Sequence, residues 1–430
     1  MGADTTERAR KLDGIPIVAT LRDYRKGSFR PDVVAGLVLA TVLVPQGMAY
    51  AELTGLPAVT GIYTTIAALL AYAVFGPNRR LVLGPDSSLA PVIAAVIVPL
   101  AAGSRDAVAL ASAMSILAGL VCVLSGFLRL GVVTELLSKP IRIGYLNGIA
   151  VLIFISQVPK ALGIEVDVES TLRMVGATAE AIWDGEVVMA AASVALAGIV
   201  TILVLNGLSK LRPGVIVAAV GSIAAVAAFG LQVEIVGDIP SGLPPLTIPG
   251  FDLDALPALL GGALAVALVS FADTGALSTA TALKAGDRVD PNSEIKALGV
   301  SNLLSGLFQG FATSASSSRT AVALAVGSRT QVAGLVAAAG VIVIVILLPR
   351  LVSDMPEPTL AAIVITASFT LFDWKGWVWL LRVRRSEFLL SAAAAVAVLV
   401  VGVLEGIGIA IVLSLAHFIR RSWRPHSTEL

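Results

Sequence analysis

Apolar stretches of about 20 residues recur along the whole of this 430-residue sequence, with short connections between them. An α-helix needs about 20 apolar residues to cross the hydrocarbon core of a bilayer. Hydrophobic residues make up 57% of the chain and charged residues only 14%, whereas an average soluble domain carries about 25% charged residues. The sequence therefore predicts an all-α polytopic membrane protein embedded in a lipid bilayer.

The remaining composition argues against several classes of function. The net charge of +1 does not favour nucleic acid as a partner, because such binding requires a strongly basic surface. The single cysteine, Cys122, has no partner for an internal disulfide, and the two histidines, His417 and His426, lie in or beyond the last span. The sequence contains no Walker A motif, zinc-ligand cluster, catalytic carboxylate pair or nucleophile elbow. We therefore expect no enzyme activity, no metal site, no cofactor and no pumping driven by ATP.

Fourteen spans are predicted, and two of them are short runs at about 87–101 and 318–327. The other twelve lie at about 32–55, 58–76, 106–128, 140–159, 186–207, 213–231, 254–283, 292–311, 330–349, 358–372, 386–403 and 405–420. The predicted domains are an N-terminal segment (1–30), a transmembrane domain (31–421) with two repeats at about 31–210 and 213–421, and a tail (422–430).

The basic residues of the short loops fix the orientation, since they collect on the cytoplasmic side. With the N-terminus inside, the inner loops hold Arg79, Arg80, Arg129, Lys139, Arg142, Lys210, Arg212, Lys284, Arg288, Arg329, Arg382, Arg384 and Arg385. The outer loops hold only Arg105, Lys160, Arg173 and Arg350. The asymmetry predicts a multi-pass protein of the cell membrane with both termini in the cytoplasm.

The two short runs carry most of the functional information. Each has too few residues to cross a bilayer, and each follows a polar or glycine-, proline- and serine-rich segment, RRLVLGPDSS or GFATSASSSR. Non-helical backbone is tolerated at membrane depth only where it is buried in protein or lines a cavity. The runs are the third and the tenth of fourteen, and paired interrupted helices in inverted repeats mark transporter binding sites. We expect two half-helices in a 7+7 inverted repeat.

The tenth run begins inside SASSSRTAVALAVGS (314–328). A helix that begins near Ser317, Ser318 and Arg319 directs its unpaired N–H groups and the positive end of its dipole into the membrane centre. That arrangement suits an anion. Ordinary capping at a broken helix is the alternative explanation for each serine taken singly.

The third run begins at GPDSSLAP, where Gly84 and Pro85 turn the chain. A polar side chain can cap the helix there, and the candidates are Asp86, Ser87 and Ser88. Two helix N-termini that face each other would form a site of positive potential without full charges. Capping alone accounts for Asp86, so a functional role is the weaker interpretation for that residue.

Two further charges lie deep in apolar runs. A charge at the membrane centre is unfavourable by about 3 kcal/mol on insertion scales, so such residues are functional or paired. Arg319 is one of them, and Asp273 in ALVSFADTGALS is the other. Asp273 can neutralise Arg319, bind a cation or take up a proton, and a purely structural ion pair is the alternative.

The middle of the first span reads VPQGMAYAE. Pro45 removes a backbone donor and Gly47 loosens the turn. Gln46 offers donor and acceptor groups, and Tyr50 lies one helical turn later on the same side. We expect these two side chains to form a polar wall for a substrate, with helix–helix hydrogen bonding as the alternative.

From about residue 28 to 422 the sequence resembles the SulP family, the sulfate permease and solute carrier 26 group. The resemblance is carried by DVVAGLVLATVLVPQGMAYAELTGLPAVTGIYT, GPDSSLAPVIA, DPNSEIKALGVSNLLSGLFQGF and SASSSRTAVALAVGSRTQVAG. It implies seven-plus-seven inverted repeats divided into core and gate domains, a homodimer, and an anion site between the two half-helices. The residues implied at that site are Gln46, Tyr50, Ser87, Ser88, Ser317, Ser318 and Arg319, with Asp273 at a position linked to cation or proton coupling.

Two features depart from the family pattern. Family members usually carry a cytoplasmic STAS domain after the last span, and these 430 residues contain none. Asp86 and Asp273 place acidic residues where some relatives have neutral ones, which favours coupling to protons or sodium over simple exchange.

We expect elevator-type secondary active transport of a small anion, with sulfate first and bicarbonate or a dicarboxylate as further candidates. A channel-like anion conductor and a nucleobase carrier of related fold are the alternatives.

Overall fold

A computed structural model describes residues 16–102, 106–131, 139–166, 168, 171–208, 213–237, 242–250 and 253–422. Up to the middle of the chain the elements are α1 (Pro16–Arg22), α2 (Lys26–Leu53), α3 (Ala58–Phe75), β1 (Leu83–Gly84), α4 (Ala90–Ala101), α5 (Ala107–Phe127), α6 (Lys139–Leu162), α7 (Thr171–Trp183), α8 (Met189–Leu208) and α9 (Gly214–Phe229). The rest are α10 (Leu256–Ala285), α11 (Pro291–Leu307), β2 (Ser314–Ala315), α12 (Ser317–Val326), α13 (Val332–Leu347), α14 (Pro349–Ser353), α15 (Glu357–Leu371), α16 (Trp374–Val383), α17 (Arg385–Val400) and α18 (Val403–Ser422).

Each of the fourteen predicted spans coincides with one helix, and the short runs are α4 and α12. Four short helices, α1, α7, α14 and α16, lie before or between the spans. The length of apolar runs predicts the spans but not these helices, because none of the four has a long apolar run. The predicted boundary between the two repeats (31–210 and 213–421) lies at 211–212, outside the described residues, and stays a prediction.

Length and hydropathy agree with a membrane location. Among the described residues, six helical stretches are long and apolar enough to cross a bilayer. They are Gly27–Leu53, Ala58–Phe75, Ala107–Phe127, Lys139–Leu162, Met189–Leu208 and Leu253–Ala285. Shorter apolar helices accompany them at Ala90–Ala101, Gly214–Phe229, Val332–Leu347 and Val403–Leu413.

The helices pack into two bundles. The core bundle contains α2 to α5 and α10 to α13, with α11 lying along α5 and α13 along α2. The gate bundle contains α6, α8, α9, α15, α17 and α18, with α15 and α17 lying along α6. The bundles meet mainly where α15 and α9 touch α2. Each bundle therefore combines helices from both halves of the chain.

The two helix breaks meet inside the core bundle. β1 and β2 pair antiparallel, with Leu83 opposite Ala315 and Gly84 opposite Ser314. The amide of Ser316 donates to the carbonyl of Val82 at 3.2 Å and extends the pairing. Unpaired backbone groups are prohibitive in a membrane interior, so this small sheet is what permits both breaks. Antiparallel pairing of equivalent segments is also what a two-fold axis between inverted halves produces.

A buried polar network holds the segment that leads into β1. The Glu294 carboxylate accepts hydrogen bonds from the hydroxyls of Tyr72 (2.6 Å) and Ser278 (2.7 Å). Asn78 donates to the backbone carbonyl of Ser278 at 3.0 Å, and Gln331 donates to the carbonyl of Asn78 at 2.8 Å. These bonds tie α3, α10, α11 and α13 together beside the first break.

Close helix crossings at glycines give the core bundle its compactness. A Cβ atom on Gly61 of α3 would lie 1.8 Å from the carbonyl oxygen of Gly47 on α2. A Cβ on Gly119 of α5 would lie 2.7 Å from the carbonyl oxygen of Gly299 on α11. Small residues at such crossings let backbones approach closely, which is the main packing device of membrane helices. Gly47 therefore sets the position of the neighbouring Gln46.

Gly61→Ala is expected to destabilise the protein, because the new methyl group can be accommodated only if α2 and α3 separate. Overpacking of this kind typically lowers the free energy of unfolding by about 1–3 kcal/mol. The melting temperature of the purified protein in detergent measures the effect. Gly261→Ala is the matched control, since a Cβ there meets no atom within 4 Å. Equal melting temperatures for the two variants would contradict the crossing.

Candidate functional site

A cavity of about 660 Å³ lies between the two bundles at the level of the helix breaks. Its walls come from α2, α10, α12 and the segment before α4 in the core bundle, and from α6, α8, α9 and α15 in the gate bundle. All nine residues singled out in the sequence line it: Gln46, Tyr50, Asp86, Ser87, Ser88, Asp273, Ser317, Ser318 and Arg319. Residues more than 200 positions apart in the chain are thus brought together.

The second break places a helix N-terminus at the cavity, as predicted. α12 begins at Ser317 after Ser316, whose extended backbone (φ −108°, ψ 128°) makes it the N-cap residue without a side-chain cap. The first intrahelical bond is donated by Thr320 to the carbonyl of Ser316 at 3.0 Å. The N–H groups before Thr320 have no acceptor within the helix, and the helix dipole adds partial positive charge there.

The first break differs from the expectation. α4 begins at Ala90, with Leu89 as an N-cap that has no side-chain bond, and not at the serines. A turn comes first, in which Leu89 and Ala90 donate to the carbonyl of Asp86 at 3.2 and 3.1 Å. The Asp86 carboxylate accepts from the amide of Ser88 at 3.1 Å. Asp86 therefore caps the turn that precedes the helix, and its negative charge offsets the positive potential at this end.

Arg319 is the deepest cation of the cavity, with 1% of its surface exposed. Its Nη2 donates to the carbonyl of Gly84 at 3.3 Å and lies 3.5 Å from a carboxylate oxygen of Asp86. Its Nε and Nη1 have no acceptor among the described residues. A guanidinium has five N–H donors, and a buried donor without a partner is unfavourable by about 1–3 kcal/mol. Arg319, which lines the cavity, therefore has unused hydrogen-bonding capacity at two nitrogens that are themselves buried in this conformation.

Gly84, the last residue of β1, lies close to the guanidinium of Arg319. A Cβ atom there would lie 3.0 Å from Nη1 of Arg319, so a larger residue would require the guanidinium to shift by a few tenths of an ångström.

Asp273 does not pair with Arg319, which was one of the alternatives from the sequence. Among the described residues, the carboxylate within 4 Å of Arg319 belongs to Asp86. Asp273 instead lies 3.1 Å from the hydroxyl of Ser88, which is also 2.7 Å from the Asp86 carboxylate. A serine hydroxyl has one hydrogen to donate. Both contacts are hydrogen bonds at the same time only when one of the two carboxyl groups carries a proton.

α2 supplies the wall predicted from VPQGMAYAE. The helix continues through Pro45, and Gln46 is half-buried while Tyr50 is buried. The Tyr50 side chain lies close to Ser87, so α2 and the turn before α4 meet at this point of the cavity. Both residues face the cavity.

Sequence reasoning missed several polar residues of the wall, most of them on the gate bundle: Arg142, Asn206, Ser316, Thr366 and Thr370. In the sequence, Arg142 counts among the cations of the inner loops, whereas in the structure it lies in the first turn of α6. Asn206 could have been predicted as a polar residue of the cavity, since it is an amide near the end of an apolar span. These residues show that the cavity extends from the breaks to the end of the molecule where α6 begins and α8 and α15 end. That end carries the basic loops.

Comparisons with known proteins agree with this architecture. The sequence model of the "Sulfate permease family" matches residues 29–394. A probable sulfate transporter of Mycobacterium tuberculosis (strain H37Rv) is 37% identical over 423 residues, which are 96% of this chain and 74% of that protein. Human solute carrier family 26 member 6 is 32% identical over 458 residues, 97% of this chain and 59% of that protein. The chain thus spans about three quarters or less of the length of these relatives.

Solved structures show the same fold. The murine solute carrier 26 family member A9 anion transporter, in its inward-facing state, superposes with a TM-score of 0.87 at 21% identity, over 96% of this chain and 72% of that chain. The transmembrane domain of the cyanobacterial bicarbonate transporter BicA superposes with a TM-score of 0.79 at 23% identity, over 91% and 98%. The predicted polytopic fold and the family resemblance are confirmed. The chain belongs to the sulfate permease family, whose members are membrane anion transporters and not enzymes.

Proposed function

We propose that this protein is a secondary active carrier for a small oxyanion, sulfate first, coupled to proton uptake at Asp273. The observation that carries the proposal is Arg319, a buried cation that lines the cavity between the two bundles and has two nitrogen donors without an acceptor among the described residues. An oxyanion such as sulfate offers only acceptors, so a site of N–H and O–H donors suits it.

The donors for such an anion come from one helix start. Arg319, Ser317 and Ser318 belong to the first turn of α12 and line the cavity. Backbone N–H groups of that turn and the helix dipole act in the same direction. Because Asp86 already pairs with Nη2 of Arg319, the anion is expected at the Nε and Nη1 side.

Proton coupling is supported by the geometry around Ser88. The single hydroxyl hydrogen cannot serve Asp86 and Asp273 together, so a proton on Asp273 completes the network. A protonated Asp273 also removes a negative charge that would repel the anion. Sodium is the alternative coupling ion, since carboxylate and hydroxyl oxygens are ligands for hard cations.

An elevator-type movement is supported by the division into bundles. The anion donors lie on the core bundle, and the facing wall belongs to the gate bundle. The cavity reaches the end that carries the basic loops, which the positive-inside rule assigns to the cytoplasm. We interpret this conformation as inward-facing. A homodimer, implied by the family resemblance, stays a prediction.

The coupling role of Asp273 is tested in proteoliposomes with labelled sulfate. An inward proton gradient should stimulate uptake by the wild type, and Asp273→Asn should abolish the stimulation because the side chain no longer titrates. Asp254→Asn is the control, an exposed aspartate outside the cavity. Stimulation that survives in Asp273→Asn would refute the coupling role, and stimulation by a sodium gradient alone would identify the other ion. Competition by bicarbonate, fumarate and uracil identifies the substrate class.

Arg319→Gln should weaken sulfate binding by roughly 10- to 150-fold. Hydrogen bonds to a charged group contribute about 1.5–3 kcal/mol, and 1.4 kcal/mol is tenfold in affinity. Gly84→Ala should give a smaller loss, since it displaces the guanidinium without removing it. Calorimetric titration of the purified protein with sulfate measures both. Arg350→Gln, at an exposed arginine, is the control, and unchanged affinity in Arg319→Gln would overturn the site.

The inward-facing interpretation is tested by thiol labelling. The only cysteine, Cys122, is buried, so Ser317→Cys in a Cys122→Ser background gives one reactive position on the cavity. A membrane-impermeant methanethiosulfonate should modify it in inside-out vesicles, and sulfate should slow the reaction. Faster labelling in right-side-out vesicles would contradict the assigned orientation.

A further inference from the structure

Within the described part of the chain, the gate bundle contributes one cation to the cavity, Arg142 in the first turn of α6. Its side chain is partly exposed. It forms no hydrogen bond or ion pair with any residue that the structure describes, in contrast to Arg319, which is paired with Asp86. Asp273 lies on the opposite wall, within electrostatic range of Arg142 but not ion-paired with it. An arginine that faces a cavity and has no hydrogen-bonded or ion-paired partner among the described residues is therefore available to an incoming anion.

The charges of the wall show what Arg142 contributes. Among the residues that the structure describes, the charged ones that line the cavity are Asp86, Arg142, Asp273 and Arg319. Asp86 and Arg319 neutralise each other, so the charge that an anion meets is set by Asp273 and Arg142. Together these two sum to zero, and a proton on Asp273 makes the cavity positive. Without Arg142 the cavity would be negative, or neutral at best when Asp273 is protonated.

The cavity that both arginines line has room for an anion. Its volume of about 660 Å³ corresponds to roughly twenty water molecules at about 30 Å³ each. A small oxyanion at Arg319 occupies only a fraction of that space. The side-chain oxygen of Asn206 accepts from the amide of Gly214 at 3.1 Å, which leaves the NH₂ group of Asn206 as a donor on the same wall as Arg142. The wall of the gate bundle thus offers a charged and a neutral donor.

From this arrangement we infer that Arg142 is a second anion-binding residue, contributed by the gate bundle, which gives the cavity its preference for divalent over monovalent oxyanions. The inference rests on the proposed anion transport and deepens it by assigning the substrate charge. The interaction energy between a cation and an anion is proportional to the anion's charge. Loss of the Arg142 charge therefore weakens binding of a divalent anion by the square of the factor found for a monovalent anion of similar size.

The test compares inhibition constants of sulfate and selenate with those of nitrate and bicarbonate, as competitors of labelled sulfate in proteoliposomes. For Arg142→Gln, a threefold loss for nitrate should accompany about a tenfold loss for sulfate. Arg142→Lys keeps the charge, so the ratio of the nitrate inhibition constant to the sulfate inhibition constant should stay close to that of the wild type. Lys139→Gln is the matched control, because Lys139 also begins α6 but is exposed and lies over the ring of Trp379, outside the cavity.

Equal losses for the divalent and monovalent anions in Arg142→Gln, or the same change in Lys139→Gln, would overturn the role of Arg142. If Arg142→Gln does not fold, a changed ratio in the folded Arg142→Lys variant would overturn it as well. These results differ from failure of the proposed function, in which the wild-type protein itself takes up none of these anions. In that case the inference falls with the function on which it rests.

Discussion

The requirement that every backbone polar group be satisfied inside a membrane governs this structure. The helices α4 and α12 begin in the middle of the core bundle. The non-helical segments before them are tolerated because β1 and β2 pair with each other. Side chains complete the pairing, since Thr320 accepts from the amide of Val82 (3.2 Å) and Thr274 from the amide of Ala315 (3.1 Å). This pairing brings the starts of α4 and α12 to one point and thereby creates the cavity.

The two breaks are equivalent in position but differ in chemistry. At the first, the carboxylate of Asp86 satisfies the turn before α4 and neutralises one side of Arg319. At the second, the first N–H groups of α12 have no acceptor within the helix, and two nitrogens of Arg319 have no partner in the part of the chain that the structure describes. The second break therefore suits an anion. At the first break, the hydroxyl of Ser88 contacts the carboxylates of both Asp86 and Asp273. The groups proposed for binding and for coupling thus lie side by side, and Asp86 contacts Arg319 directly and Asp273 through Ser88.

Sequence reasoning succeeded where the signal is local. The lengths of the apolar runs predicted the positions of the spans, and the prolines and serines predicted the two helix breaks. Charges deep in apolar runs identified Asp273 and Arg319 as candidate site residues. It failed where the answer depends on packing between distant segments. The carboxylate that pairs with Arg319 lies 233 positions away, and the position of Arg142 on the cavity depends on how α6 faces the core bundle. The amphipathic helices α7 and α16 were not predicted, because they lack a long apolar run.

The central claim is that an oxyanion binds at the start of α12 against the free side of Arg319. A crystal structure with selenate tests it most directly, because the anomalous scattering of selenium locates the anion without ambiguity. The account predicts a selenium peak in the cavity, with selenate oxygens within hydrogen-bonding distance of Nε or Nη1 of Arg319 and of Ser317 or Ser318. A peak elsewhere, with both guanidinium nitrogens still unpaired, would contradict it.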